Sequence, residues 1–315
     1  MKERAYLLGP NESMLGIVSE PEVAPVPERP TFVLLNAGIV HRVGPHRKNV
    51  KLARALCEAG FRTVRVDLSG IGDSAVRRDA LSFEEGALAD IGEIFDDIGS
   101  RYGTDRFALM GLCSGADNSF HMAVRDPRVV GAVILDGIAY RTPRYYLHYY
   151  GPRVRSVGSW ISLSKKLYGR AERKIRAALG TGGDGEDAPG PAVPDYVREF
   201  EPQPVVCEKL QQLVDRGVKM YWAYTSGTEL YYNHAAQFFD MFRSVDLKDC
   251  VSYDYFGESN HTFTELRSQA QLVNAVTAWA KRTWPVLVPR SDQAELVGAH
   301  LPADKSAPQG ANASV

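Results

Sequence analysis

Cysteine is scarce in this chain and badly spaced for either of its structural uses. The four residues, Cys57, Cys113, Cys207 and Cys250, are scattered and form no CxxC pair, which argues against a zinc site and against a disulfide framework. Net charge is also nearly absent, at −1, so nothing global draws the chain to nucleic acid or to an acidic membrane surface. No apolar run approaches membrane-spanning length. The first residues, MKERAYLLGPNESMLG, carry charges but no apolar centre of the length a secretory signal needs. A cytoplasmic location without a membrane span is the expectation. The glycine-rich stretch Asp67–Ser74 lacks the lysine of a P-loop and the glycine spacing of a dinucleotide fingerprint, and reads as a structural turn. Neither a cofactor nor a metal is expected.

What is present is a large apolar inventory, 44% of 315 residues, enough for one large α/β domain or two smaller ones. Residues 6–8 and 14–19 flank a Gly-Pro-Asn turn and predict an edge hairpin. Short apolar runs at 31–35, 62–67, 107–110, 129–135, 218–224 and 250–256 predict buried strands. Between them, 46–59, 82–102, 116–124, 205–216, 232–242 and 265–284 have helical spacing, and Ser82 with Glu85 forms a capping box. This alternation calls for a mostly parallel sheet covered by helices on both faces. The rhythm breaks at 140–203, an aromatic-rich insertion expected to cap the site, with Tyr145, Tyr146 and Trp160 as candidate substrate contacts. The expected layout is a core in two parts, 1–139 and 204–287, with the cap at 140–203 and a disordered tail at 288–315.

The sharpest motif is Gly111-Leu112-Cys113-Ser114-Gly115, set between a strand and a helix. A nucleophile on such a turn sits in a strained backbone conformation and needs small residues on both sides. Taking Ser114 as the nucleophile instead shifts the frame and leaves no glycine two positions before it. Two further residues stand just past carboxyl ends of predicted strands, Glu229 and His261, and loops at those ends of an open α/β sheet converge on one crevice. Cys113 would be the nucleophile, His261 its base and Glu229 the group orienting His261. Asp254 lies within a strand and Asp246 in a preceding loop, so both are worse placed as the acid. The backbone N–H groups of Ser114 and Ile39 would hold an oxyanion.

These residues resemble the α/β-hydrolase superfamily, and within it the serine-aminopeptidase-like group that includes exosortase-associated hydrolases. The likeness lies in Arg42–Arg47 (RVGPHR), Val66–Ser74, the Cys113 elbow, Ser226–Leu230 (SGTEL) and Asn260–Phe263 (NHTF). The resemblance implies an eight-stranded sheet, a helical cap after the sixth strand and a Cys113–Glu229–His261 triad. A cysteine at the elbow is similar to that of dienelactone hydrolases and polyhydroxyalkanoate synthases. Hydrolysis of an ester or thioester through an acyl-Cys113 intermediate is the first expectation, acyl transfer or cyclisation the second, and a non-catalytic binding module the third. Ten basic residues against one acid in 141–176 read either as a solvated helix face or as a landing surface for a phosphate-bearing handle, such as coenzyme A or a carrier-protein arm.

Overall fold

Runs of β-branched and aromatic residues, buried on both sides, become the central strands of one eight-stranded sheet. The structure is a computed structural model and describes residues 1–155, 200–228 and 230–286. The strands are β1 (Lys2–Leu8), β2 (Met14–Glu20), β3 (Thr31–Leu34), β4 (Thr63–Val66), β5 (Phe107–Leu112), β6 (Val129–Leu135), β7 (Lys219–Thr225) and β8 (Val251–Phe256). They lie in the order β1-β2-β4-β3-β5-β6-β7-β8, antiparallel from β1 to β4 and parallel from there on. The edge hairpin, the capping box at Ser82 and the parallel core all follow the sequence expectation. Trp160, most of the expected cap, the expected tail and Glu229 lie outside the described residues.

Seven helices complete the described chain: α1 (Lys48–Glu58), α2 (Phe83–Tyr102), α3 (Ser114–Arg125), α4 (Pro143–Arg155), α5 (Gln203–Asp215), α6 (Gln237–Met241) and α7 (Leu266–Thr283). The stretch expected as one helix over 232–242 is helical only from Gln237. The side chain of Gln237 caps the backbone at Tyr140 and Tyr231 and holds the preceding segment as a loop. Alternation along the strands splits the core in two. Phe107 and Leu109 of β5 pack with α2, α3 and α5, while Ala108, Met110 and Leu112 pack with α1 and α7. With both faces covered, only the loops past the strand ends are left to build a site. Among the described residues no helix is long and apolar enough to cross a membrane.

Candidate active site

The elbow forms as a strand that runs without pause into a helix. β5 ends at Leu112, α3 begins at Ser114, and Cys113 between them has φ 59° and ψ −125°. That is a costly conformation for a residue with a side chain, held because the surrounding packing leaves no other path. The flanking glycines show why: a Cβ at Gly111 would lie 2.0 Å from the carbonyl of Gly115, and one at Gly115 would lie 2.2 Å from Asn36 O. Cys113 is half-buried at the N-terminus of α3, whose free amides favour negative charge on the sulfur. Cys57, Cys207 and Cys250 are buried, and burial pushes the Cys57 thiol up to about 11, which leaves it inert.

His261 reaches the elbow from the loop after β8. Its ring hydrogen-bonds Cys113, and its Nδ1 stands 2.8 Å from Oδ2 of Asp136, so Nε2 is the nitrogen that faces the sulfur. Burial would push the imidazole down, but the hydrogen bonds to Asp136 and Cys113, with their charges, outweigh it and raise it to about 9. Asp136, not foreseen from sequence, is the residue just past β6. It is 1% exposed, has φ 45°, and also accepts from the Thr225 N–H and hydroxyl, each at 2.7 Å. The Nδ1 position expected for Glu229 is thus taken by Asp136. The signal was available, since the run Val129–Leu135 ends in Asp136-Gly137 at the same edge as the other site residues.

The motif after β7 has a different part in the site. Gly227 packs so closely on the histidine loop that a Cβ there would lie 2.2 Å from the His261 nitrogen, and Ser226 Oγ donates to Ser259 O at 3.0 Å. It holds the His261 loop against β7 and Thr225 against Asp136.

On the other side of the elbow, the loop after β3 makes a turn closed by Val40 N–H on Ala37 O at 3.1 Å. The Ile39 side chain is 87% exposed, and the loop amide that reaches the elbow is that of Gly38, which donates to Ser114 Oγ at 2.9 Å. Asn36 fastens this loop, donating to Val40 O at 2.9 Å and to Asp67 at 3.1 Å while accepting from Leu68 N–H at 2.9 Å.

A cavity of about 530 Å³ opens beside Ser114, between α2, α3 and the segment before α5. Its walls mix apolar Leu88, Ile138 and Phe200 with polar Asp117, His121 and Glu201. Of the expected cap contacts, Tyr145 is buried and donates to Leu230 O at 3.1 Å, while Tyr146 is 45% exposed. Two members of the basic stretch serve the fold: Arg141 donates to Leu230 O at 2.9 Å, and Arg144 stands 3.6 Å from Asp240. Among the described residues no group of three or more His, Cys, Asp or Glu side chains is gathered to hold a metal ion.

Comparison with known proteins agrees with this architecture. No curated relative matches the chain in sequence. Three solved structures similar in fold are the proline iminopeptidase of Mycobacterium smegmatis (14% identity, TM-score 0.53, covering 89% of this chain and 98% of that one), the carboxylesterase CesB of Bacillus subtilis (18%, 0.52, 89% and 92%) and a dienelactone hydrolase of Anabaena variabilis (11%, 0.51, 88% and 96%). A family model described as alpha/beta hydrolase fold matches residues 30–190. That match spans more than half of the 315 residues and contains the elbow, so the chain belongs to the alpha/beta hydrolase fold family.

Proposed function

We propose that this protein is an acyl-processing hydrolase that cleaves an ester or thioester through an acyl intermediate on Cys113. The observation that carries the reading is the continuous chain of contacts from buried Asp136 through His261 to a cysteine on a strained elbow. With Nδ1 engaged by Asp136, the imidazole holds the Cys113 proton and leaves a thiolate to attack the substrate carbonyl carbon. As the carbon–sulfur bond forms, an electron pair moves onto the carbonyl oxygen. The Ser114 amide faces that oxygen, with the Gly38 amide beside it once the Ser114 hydroxyl turns away, and Ile39 next on the same turn.

Collapse expels the alcohol or thiol, which takes its proton from His261. A water, deprotonated by His261, then attacks the acyl carbon, releasing the acid and restoring the Cys113 sulfur. The cavity beside Ser114 is large enough for a medium-sized acyl group and has an apolar wall for it. Asp136 takes the orienting role in this mechanism, since it already occupies Nδ1 of His261.

Intact-protein mass spectrometry after brief exposure to a panel of acyl thioesters and activated esters tests the reading. An acyl adduct on the wild type that is lost in Cys113→Ala is the expected result, and its decay in water marks hydrolysis. An adduct that decays only when an alcohol or amine is added marks acyl transfer. Equal turnover by Cys113→Ala would remove Cys113 from the chemistry.

A further inference from the structure

The side chain of Lys48 is the least expected object near this site. It opens α1 directly after a tight turn in which His46 and Arg47 have φ values of 50° and 59°. Although it is a lysine at a helix start, where solvent is normally close, it is 1% exposed. Among the described residues its Nζ has no hydrogen-bond partner, and the ring of Phe263, two residues past His261, lies 5.7 Å from it. Burial without a partner is costly for an ammonium, and the N-terminus of a helix is the wrong end for a cation. Packing and helix electrostatics therefore both work against lysine here. A residue that weakens the fold on two counts is a candidate for service elsewhere.

The groups around it indicate where. Phe263, whose ring the Lys48 Nζ faces, belongs to the same packed cluster as Cys113 at the elbow. Burial pulls the amine down to about 7, and the two charges that oppose this are those of Asp136, past β6, and Cys113. His261 bridges those two groups. On the adjoining turn, His46 is engaged through Nε2 with Thr264 Oγ1 at 3.3 Å, and the next cation along α1, Lys51, is bonded to the uncharged Gln269 of α7. We infer that Lys48 is a positioning residue whose buried ammonium is the counter-ion of a thiolate on Cys113.

The charge count makes the inference specific, and it rests on the reading of Cys113 as nucleophile. A thiolate, an imidazolium and a carboxylate together carry one negative charge, and a single buried ammonium balances it. Removing that ammonium makes the neutral thiol the cheaper state, so protonation of the sulfur moves to higher pH.

The test is the rate of Cys113 alkylation by iodoacetamide as a function of pH, in the wild type, Lys48→Met and Lys48→Gln, with Cys113→Ala as the background. The wild type is expected to be half-maximally reactive well below the ordinary thiol value of about 8.5. Lys48→Met, which keeps the length of the stem, is expected to move that midpoint up by about one unit, making alkylation near pH 6 about tenfold slower. Lys48→Gln is expected to do the same. A lowered wild-type midpoint that neither substitution moves would overturn the counter-ion role while leaving Cys113 as nucleophile. An ordinary thiol profile in the wild type would overturn both.

A second measurement needs no variant. The Lys48 side-chain carbon resonance, titrated before and after Cys113 is capped by iodoacetamide, is expected to lose its proton at lower pH once the thiolate is gone. An unchanged midpoint would overturn the inference.

Discussion

Asp67 and Asp136 stand immediately past two parallel strands, β4 and β6, at the same edge of the sheet, and both are buried, at 0% and 1% exposure. Their partners differ. Asp67 faces a permanent cation, with Arg42 Nη1 at 2.5 Å, and also accepts from Asn36 and from the backbone amides of Arg42 and Asp73. Its partners are the two ends of the loop from 36 to 42 and the turn after β4, so it ties loops together. Asp136 faces an imidazole that can gain or lose a proton, with Thr225 filling its other lone pairs. The carboxylate is the same in both places; a guanidinium partner makes it a rivet, and a histidine partner couples it to a group whose charge changes with pH.

Isosteric amides break the comparison most sharply. Asp136→Asn keeps the shape but favours the wrong histidine tautomer, and is expected to lower kcat about 10⁴-fold, with a loss of folding stability of no more than about 1–3 kcal/mol from the weakened hold on the His261 proton. Steady-state turnover of an activated ester, with a thermal melt alongside, checks it. Asp67→Asn leaves Arg42 with only the exposed Asp73, at 2.7 Å, as its counter-charge and is expected to cost up to about 3 kcal/mol of folding stability, read by urea unfolding. Its effect on turnover should be much smaller than that of Asp136→Asn. If the two variants exchanged phenotypes, the division of labour between the aspartates would be wrong.

Much of this was legible before the structure. Buried parallel strands announce themselves as apolar runs, and the Cys113 elbow combines strand, glycine frame and helix in ten residues. His261 was legible because a polar histidine follows the last strand. Asp136 obeys the same rule, one residue past a strand, yet the eye is drawn to Glu229 after the next strand, where the nucleophile, acid and base also fall in the expected order. Chain order alone does not distinguish two acids past neighbouring strands; only the position of Nδ1 does. Lys48 was illegible for another reason. A lysine opening a helix reads as solvated, and its burial accompanies two residues of left-handed backbone, His46 and Arg47, that carry no glycine to signal them.

The Asp136 arm depends on the fit of Gly227 against the His261 backbone, as Asp67 depends on Gly72, where a Cβ would lie 2.3 Å from Asp67 Oδ2. Gly227→Ala must push the histidine loop away to seat a Cβ 2.2 Å from the His261 nitrogen. A displacement of about 1 Å at a proton-transfer group costs about 10²-fold in kcat, with KM little changed if the cavity beside Ser114 is undisturbed. Steady-state kinetics with an ester of fixed acyl group measures this.

The smallest expected effect separates the two aspartates by pH. His261 has its folded value raised to about 9 from an ordinary 6.5, so it binds its proton more tightly in the folded state. Its stabilising contribution is therefore complete below about pH 6.5 and is lost as pH rises toward 9. The contribution is about 1–3 kcal/mol once partial exposure of the ring is allowed for. Urea unfolding at a series of pH values is expected to show this decline in the wild type and in Asp67→Asn, because Arg42 stays charged throughout. Asp136→Asn removes the carboxylate that holds the proton on His261 and should flatten the curve. A decline that survives in Asp136→Asn but disappears in Asp67→Asn would place the titrating group beside the wrong aspartate.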